Sequence, residues 1–508
     1  MKRSARRNII AVGGLTGISR ILGFVRDMVM AWILGAGVLT DAFIVAFRIP
    51  NLLRRFMAEG TVSVAFIPVF SEAKEKEGIA KAFELTRDML TFMFYALTAV
   101  VIIGEIIAPA MVGALAPGFL GDPVFDVAVR LTRIMFPFIL LIGIAALLMG
   151  ILNSLGHFTA PAGAPVLLNV FMIGVPVAGY VMYPIFDRPE DAFAWGVILG
   201  GIAQIILQMI PLRIMKVPLR FTAHFYHPRL RQVLKLMGVA AIGASVYQLN
   251  VFIGTLLASL LPTGSVSYLY YASRILELPL GLFAFSVSNV MLPALSTAFA
   301  RSDREKVASL TGDSMIAVLI FTIPATIGML VLAEPIFAVL FMRGKFAMAD
   351  VHASAFALQM YALGLSAVGA SRILTQTLYA MQQPKEVVKT AWISLIINAL
   401  CSVALMPFMG HGGIALASSI SIAVQMVIMY RIISRQGITL PREIWIKTAR
   451  MIGASLVMGG VLLLFLHTKF WMNGLSIVSV SILLCAVAVG GGLYFAMLWF
   501  MGMRYSIR

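Results

Sequence analysis

The segment PAMVGALAPG, residues 109–118, has a counterpart in PIFAVLFMRG, residues 335–344. Both segments begin with proline and end with glycine, and the second lies 226 residues after the first. The same offset relates Arg48 in AFRIP to Arg274 in ASRILELP. Self-similarity at a fixed, long offset indicates an internal duplication. We therefore predict two copies of one helical unit.

The composition is that of an integral membrane protein. Hydrophobic residues make up 60% of the 508 residues and charged residues 12%, and the mean hydropathy is +0.96. A water-soluble fold is excluded, since soluble domains contain about twice that share of charged residues. Apolar runs of about 20 residues, long enough to cross a bilayer, recur along the chain. We predict fourteen, beginning near residues 8, 38, 80, 123, 160, 191, 228, 264, 304, 348, 385, 411, 441 and 472.

The predicted fold is all-α and membrane-spanning, with about fourteen transmembrane helices. Helices 1–6 form an N-terminal lobe over residues 1–220, and helices 7–12 form its duplicate over residues 221–437. Both copies start on the same side of the membrane, so the repeat is parallel. Helices 13 and 14, residues 438–508, lie outside the repeat. Two facing six-helix lobes are typical of alternating-access transporters, although duplication for stability alone is the simpler alternative.

The positions of the basic residues predict the topology. The net charge is +17, with 39 Lys and Arg against 22 Asp and Glu. The N-terminus, alternate loops and C-terminus carry 26 of these cations, and the opposite loops carry six. By the positive-inside rule both termini are cytoplasmic, and the charge needs no nucleic-acid partner to explain it. The remaining seven lie within apolar segments: Arg20, Arg26, Arg48, Arg54, Arg55, Arg274 and Arg372.

These arginines mark a candidate binding site. An arginine at the centre of a transmembrane helix costs about 2.5–3.5 kcal/mol on insertion scales, so it is expected to face protein or water. In helix 1, Ser19, Gly23 and Arg26 share one face, with Arg20 and Asp27 on a neighbouring one. Helix 2 carries a polar stripe that Pro50 and Asn51 are expected to interrupt. The members of that stripe are Asp41, Arg48, Arg55 and Glu59.

The number of charges favours a cationic cavity over a neutral network. Internal pairing of these arginines with nearby carboxylates is the alternative, but helices 1, 2 and 8 contain two more arginines than carboxylates. Arg274, in the repeat counterpart of helix 2, is expected to reach the same space from the second lobe. The planar guanidinium binds phosphate through two parallel hydrogen bonds. We therefore predict an anionic substrate that carries a phosphate or diphosphate.

Four motifs resemble one known family. They are SRILGFVRD (19–27), TDAFIVAFRIPNLLRRFMAEG (40–60), YYASRILELPLGL (270–282) and LFMRGKF (340–346). These stretches closely resemble the MviN/MurJ family, within the multidrug/oligosaccharidyl-lipid/polysaccharide exporter superfamily, and the similarity spans the whole chain. The resemblance implies a lipid II flippase, which moves the undecaprenyl-diphosphate-linked peptidoglycan precursor from the cytoplasmic to the periplasmic leaflet of the bacterial inner membrane.

The resemblance also implies the site and the partners. The family's cavity arginines fall on Arg20, Arg26, Arg54 and Arg274, and acidic positions of the same motifs fall on Asp41 and Glu59. Helices 13 and 14 would form a groove for the polyprenyl tail. The expected partners are lipid II and membrane lipids, with the cell-wall synthesis machinery as a further candidate. We expect a monomer without catalytic residues, cofactor or metal.

A sodium site of some relatives does not carry over. That site lies between helices 7 and 11 and uses carboxylates, whereas here helix 7 offers Gln248 and Asn250, and helix 11 offers Asn398 and Ser402. We expect no carboxylate in either helix, and hard cations favour charged oxygen ligands. Sodium coupling is therefore not expected, and Asn398 is interpreted as a helix-to-helix hydrogen-bonding residue.

Two rival functions remain open. An exporter of another lipid-linked glycan would need the same cationic cavity, whereas a cationic drug would be repelled by the excess of arginines. A membrane-embedded glycosyl or phosphoglycosyl transferase would need catalytic carboxylates or a metal-binding acidic cluster. The acidic segment SEAKEKEGIAKAFE, residues 71–84, is instead typical of a solvated run of charges.

Overall fold

A computed structural model describes residues 2–57, 61–222, 228–281 and 285–503 of the chain. Within these ranges all regular structure is helical, without a strand. The first nine helices are α1 (Lys2–Leu34), α2 (Val38–Met57), α3 (Thr61–Glu77), α4 (Ile79–Leu115), α5 (Pro123–Met135), α6 (Phe138–Ser154), α7 (Thr159–Pro176), α8 (Pro189–Ile214) and α9 (Pro228–Ser259).

The other nine helices complete the second copy and add a C-terminal pair. They are α10 (Ser265–Pro279), α11 (Phe285–Ala300), α12 (Arg304–Phe341), α13 (Met348–Ala362), α14 (Leu365–Ala380), α15 (Pro384–Met409), α16 (His411–Arg435), α17 (Arg442–His467) and α18 (Ile477–Phe500). The all-α membrane fold expected from the sequence is thus confirmed.

Helix boundaries reproduce the internal repeat. Helices α9, α10, α12, α13, α14 and α15 begin 225–227 residues after α1, α2, α4, α5, α6 and α7, respectively. Each predicted span is thus matched by one long helix or by two shorter ones in series. For example, α5 and α6 together correspond to the fourth span, and α13 and α14 to the tenth. Helices α17 and α18 have no counterpart in the repeat.

Many of the helices are long enough to cross a bilayer. Nine helical segments in the described part of the chain are sufficiently long and apolar, and α13 with α14, bent by 41°, makes a tenth. The four predicted spans outside this set correspond to α1, α2 with α3, α9, and α10 with α11. The first two and the last of these carry intramembrane arginines of the candidate site, which lower their apolar character. The fourteen predicted spans are consistent with this arrangement.

Two compact units divide the chain, covering residues 1–248 and 249–508, with the division inside α9. The core of the first unit contains Phe66 and Phe70 of α3 and Leu85 of α4, all fully buried. In the second unit, α12 is packed by α11, α14, α17 and α18, and buried Tyr494 of α18 donates to the carbonyl of Ile320 at 2.9 Å. The predicted lobe boundaries at residues 220 and 437 stay predictions.

One local expectation was wrong. Pro50 and Asn51 do not interrupt the second span, because α2 runs continuously from Val38 to Met57 with Pro50 inside it. Proline removes one helical hydrogen bond, and transmembrane helices tolerate that loss where the freed carbonyl finds another partner. The helical segment α3, which was not predicted, lies before α4 in the chain.

Candidate substrate-binding site

Helix α1 presents its predicted polar face to α7. The side-chain amide of Asn169 on α7 donates to the backbone carbonyl of Ser19 at 3.0 Å, and its oxygen accepts from Nη1 of Arg26 at 3.2 Å. Between them, a Cβ at Gly23 would meet the Asn169 amide at 3.7–3.8 Å. Three positions separated by four and three residues therefore contact one side chain, as expected for a shared helical face.

Arg26 is held by a second partner on its own helix. Its Nε and Nη2 donate to Oδ1 of Asp27 at 2.9 and 2.7 Å. Asp27 is buried and the Arg26 side chain is 12% exposed. A charge-assisted hydrogen bond in such a setting is about twice as strong as a neutral one. The internal pairing considered as an alternative is therefore present at Arg26, where it fixes the orientation of the guanidinium.

The other candidates of the first unit differ in exposure. Arg20 is exposed, Asp41 is 1% exposed, and Arg48 and Asn51 of α2 are half-buried. Each of these four makes a polar or electrostatic contact within the protein. The side chains of Arg54 and Arg55, and the whole of Glu59, lie outside the described residues. Their assignment therefore stays a prediction.

In the second unit, Arg274 lies on α10 among three contacts of its own helix. Its Nη1 donates to Oε2 of Glu277 at 2.9 Å and its Nη2 to the Tyr270 hydroxyl at 3.3 Å. The guanidinium carbon lies 4.7 Å from the centroid of the Tyr270 ring, a cation–π distance. The Arg274 side chain remains 30% exposed. It is thus oriented by neighbours one turn away and is still open to a ligand.

Sequence reasoning missed two of these partners. Asn169 is not among the residues that the sequence singled out, and Tyr270 is named there only as part of a motif. The spacing of four residues between Tyr270 and Arg274 is a signal that could have revealed the second contact. No such signal exists for Asn169, which lies 143 residues from Arg26.

Comparison with known proteins identifies the family. The sequence model described as "Lipid II flippase MurJ" matches residues 30–484. A lipid II flippase MurJ of Burkholderia cenocepacia is 35% identical over 512 residues, which cover 98% of each chain. A solved structure of lipid II flippase MurJ in an inward closed conformation is 25% identical with a TM-score of 0.80, covering 97% of this chain and 98% of that one. The chain belongs to the lipid II flippase MurJ family.

The MurJ fold is shared more widely. An inward-facing multidrug resistance MATE family transporter of the MOP superfamily matches 84% of this chain and 97% of its own, with a TM-score of 0.69 at 13% identity. At that identity only the fold is comparable. Members of the MurJ family are named as flippases, which are transporters rather than enzymes. The matched family segment begins after Arg20 and Arg26, whereas the full-length relative covers both.

Neutral polar residues of α9, α15 and α16 form one hydrogen-bonded network around Asn398. The Asn398 amide on α15 donates to the Asn250 side chain on α9, and the hydroxyls of Ser402 and Ser418 donate to Asn398 Oδ1, each at 3.4 Å. The interpretation of Asn398 as a helix-to-helix hydrogen-bonding residue is confirmed. The expectation of no carboxylate in helix 11 was wrong, since Glu386 belongs to α15. It lies twelve residues before Asn398, about 18 Å along the helix.

The acidic segment of residues 71–84, which could have supplied the carboxylates of a transferase, forms ion pairs. Glu72 pairs with Lys76 at 3.0 Å, Glu84 with Lys81 at 2.7 Å, and Glu77 with Arg229 of α9 at 2.5 Å. The first two pairs join neighbouring turns of one helix and are largely solvated. The third joins α9 to α3. Among the residues that the structure describes, no cluster of three possible metal ligands occurs. This segment is therefore accounted for as a paired surface charge run.

Proposed function

We propose that this protein is a lipid II flippase that moves the undecaprenyl-diphosphate-linked precursor of peptidoglycan outward across the bacterial inner membrane. No covalent bond is made or broken. The substrate's diphosphate binds to Arg20, Arg26, Arg54 and Arg274, and the acidic side chains of Asp27, Asp41 and Glu59 limit the excess positive charge. Ser19, Arg48, Asn51 and Arg55 support that site. The transport cycle is alternating access, the mechanism typical of repeated-lobe transporters.

The observation that carries this proposal is the ordering of Arg26 within an apolar helix. Asp27 and Asn169 bind the guanidinium from α1 and α7, so its position is set before any ligand binds. A preorganised guanidinium loses less side-chain entropy on binding phosphate than a mobile one. Arg274 is ordered in the same manner by Tyr270 and Glu277. Membership of the MurJ family supports lipid II as the source of the phosphate.

The setting of the protein follows from its charge distribution. The N-terminus, alternate loops and C-terminus carry 26 of the 39 Lys and Arg, which supports cytoplasmic termini by the positive-inside rule. The chain acts as a monomer with lipid II and membrane lipids as its partners, and the cell-wall synthesis machinery receives its product. Helices α17 and α18 hold the polyprenyl tail. Exposed apolar residues along α18, such as Ile477 and Leu484, are compatible with a lipid chain.

A flipping assay with arginine variants tests the proposal. In proteoliposomes, Arg26→Ala and Arg274→Ala should each lower the rate of lipid II appearance in the opposite leaflet by about tenfold or more, because one charge-assisted contact is worth about 1.5–3 kcal/mol. Lysine at either position should restore activity only in part, since it lacks the planar fork. Arg133→Ala, an exposed arginine of α5, serves as the control.

Two results would reject the proposal. Full activity in the alanine variants would remove the arginines from the site. Chemical alteration of lipid II by the purified protein, rather than relocation, would indicate a transferase. Complementation of a strain depleted of its essential lipid II flippase separates this substrate from other lipid-linked glycans, because only a lipid II flippase restores growth.

A further inference from the structure

A cavity of about 810 Å³ lies at the end of α15 and α16 in the second unit. Its lining includes three cations, Lys385 and Lys389 in the first two turns of α15 and Arg435 in the last turn of α16. The lining also includes three isoleucines, Ile393, Ile428 and Ile432. Basic and apolar side chains in one lining match the two parts of a phospholipid, an anionic headgroup and its acyl chains.

The cations of this cavity differ from several basic residues of α3, α4 and α9, which are neutralised by carboxylates. Lys76, Lys81 and Arg229 each bind a carboxylate within 3.5 Å. In the described part of the chain, Lys385, Lys389 and Arg435 form no ion pair within 4.0 Å. Glu386 also lines the cavity, so the lining keeps an excess of two positive charges. That excess is available to an anion.

Two glutamines in the lining of the cavity connect α15 to α16. Gln383, before α15, and Gln436, after α16, exchange two side-chain hydrogen bonds of 2.8 and 2.7 Å. Both amides are thereby satisfied by each other, and they fix the two helix ends at a constant separation. The α15 amide groups of the first turn lie beside them, at the positive end of the helix dipole, which adds to the attraction for an anion.

Helix α15 also carries an exposed apolar stripe that begins beside the cations of the cavity, where Val388 lies next to Lys385 and Lys389. Val388, Trp392, Ile396 and Leu400 recur every four residues, and each is between 43% and 66% exposed. This exposed stripe of a long apolar helix is a surface for acyl chains. Tryptophan is enriched at the level of the headgroups, and Trp392 lies one turn beyond Lys389. A soluble anion would gain nothing from this apolar stripe, whereas a lipid would bury its chains along it.

We propose that this cavity binds the headgroup of an anionic phospholipid from the cytoplasmic leaflet. Lys385, Lys389 and Arg435 contact the phosphate, and the acyl chains follow Ile393, Ile428 and the exposed stripe of α15. The positive-inside topology places this end of α15 and α16 at the cytoplasmic surface, where anionic lipids attract basic residues. The lining residues of this cavity include none of the arginines of α1, α2 and α10, and the site does not depend on the proposed flippase activity.

Lipid retention by the purified full-length protein tests this assignment. The probes are phosphatidylglycerol and phosphatidylethanolamine, offered in equal amounts in mixed micelles and counted on the protein by mass spectrometry. Wild-type protein should retain phosphatidylglycerol over phosphatidylethanolamine by about tenfold or more, because each basic residue contributes about 1 kcal/mol to anionic-lipid binding. The triple variant Lys385→Gln, Lys389→Gln and Arg435→Gln should lose this preference.

Two matched variants make the result specific. Replacing Arg301, Lys306 and Arg431 by Gln removes the same charge from exposed positions outside the cavity, and the preference should persist. Lys385→Arg with Lys389→Arg keeps the charge and should also retain it. Equal retention of phosphatidylglycerol by the cavity variant and the exposed-charge variant would overturn the proposal. Displacement of the lipid by millimolar inorganic phosphate would also overturn it, since a soluble anion would then be the ligand.

Discussion

At the residue scale, Asn169 determines where the Arg26 guanidinium lies. The Asn169 amide nitrogen donates to the carbonyls of Ser19 at 3.0 Å and Pro165 at 3.2 Å. The amide nitrogen carries two hydrogens, and these two carbonyls accept them. The amide oxygen therefore faces the opposite way, towards Arg26. Asn169 is 7% exposed, and a buried amide with all these partners has little freedom to turn. Asn169 is therefore a positioning residue for Arg26.

Replacing Asn169 by leucine should separate positioning from charge. Leucine keeps the volume but removes the amide oxygen that accepts from Arg26 Nη1, so the guanidinium keeps its bonds to Asp27 and loses this one to α7. We expect the substrate concentration for half-maximal flipping to rise about tenfold, equivalent to about 1.4 kcal/mol, with a smaller change in the maximal rate. Asn169→Gln, which keeps the amide, should restore part of the affinity.

Gly23→Ala is the matched control for this experiment. It lies on the same face of α1, and its added Cβ would meet the Asn169 amide at an ordinary 3.7–3.8 Å. Activity should therefore be near normal. If the Asn169→Leu variant binds lipid II as the wild-type protein does, Arg26 is positioned without Asn169, whose role is then limited to packing.

Sequence could predict the helix face but not what it contacts. Helical geometry alone places Ser19, Gly23 and Arg26 on one side of α1. Whether α7 is the neighbour of this face depends on packing between helices far apart in the chain. A single sequence does not show which distant helices pack together. Asp27 was one of several carboxylates that could pair with the arginines, and the number of charges alone did not show which of them pairs with Arg26.

At the scale of helices, the apolar runs predicted the elements closely. Predicted starts near residues 38, 123, 228, 304 and 411 fall within one residue of α2, α5, α9, α12 and α16. The ends of a long apolar run can be predicted from the sequence, because a helix leaves the membrane where polar residues begin. The helical segment α3 was not predictable in this way. It follows the second predicted span, whose arginines already obscure the apolar pattern.

Helices α5 and α8 are joined by a charged clamp whose removal should destabilise the first unit. Arg130 of α5 donates to Glu190 and Asp191 of α8, each at 2.6 Å. Glu190 is 3% exposed, so Arg130→Ala would leave a buried carboxylate without its cation. We expect a loss of about 2–4 kcal/mol, seen as a lower melting temperature of the detergent-solubilised protein.

Two variants define how the Arg130 clamp works. Arg133→Ala removes an exposed cation from the same helix and should leave the melting temperature nearly unchanged. Arg130→Lys should be intermediate, because one ammonium replaces a fork that reaches both carboxylates. An Arg130→Ala protein that melts with the wild type would show that Glu190 is satisfied by water instead.

At the scale of the whole molecule, the sign of the transported charge gives a driving force. A diphosphate headgroup carries about two negative charges, and outward movement of each across an inside-negative potential of 100 mV is worth about 2.3 kcal/mol. Export is then favoured by about 4–5 kcal/mol, provided that the arginines do not cross the field with the phosphate. Asp27 and Glu277 hold Arg26 and Arg274 to their own helices, which satisfies that condition locally.

The last prediction separates this driving force from an ion gradient. The polar network of α9 and α15 consists of Asn250, Asn398 and Ser402, all neutral, and hard cations favour charged oxygen ligands. Collapsing the membrane potential with a potassium ionophore at constant pH and sodium should therefore slow the outward movement of lipid II several-fold. Replacing sodium by a large organic cation at constant potential should change the rate little. Loss of flipping on sodium removal alone would instead assign the coupling to a cation, and Asn398→Leu would then be expected to abolish that sodium dependence.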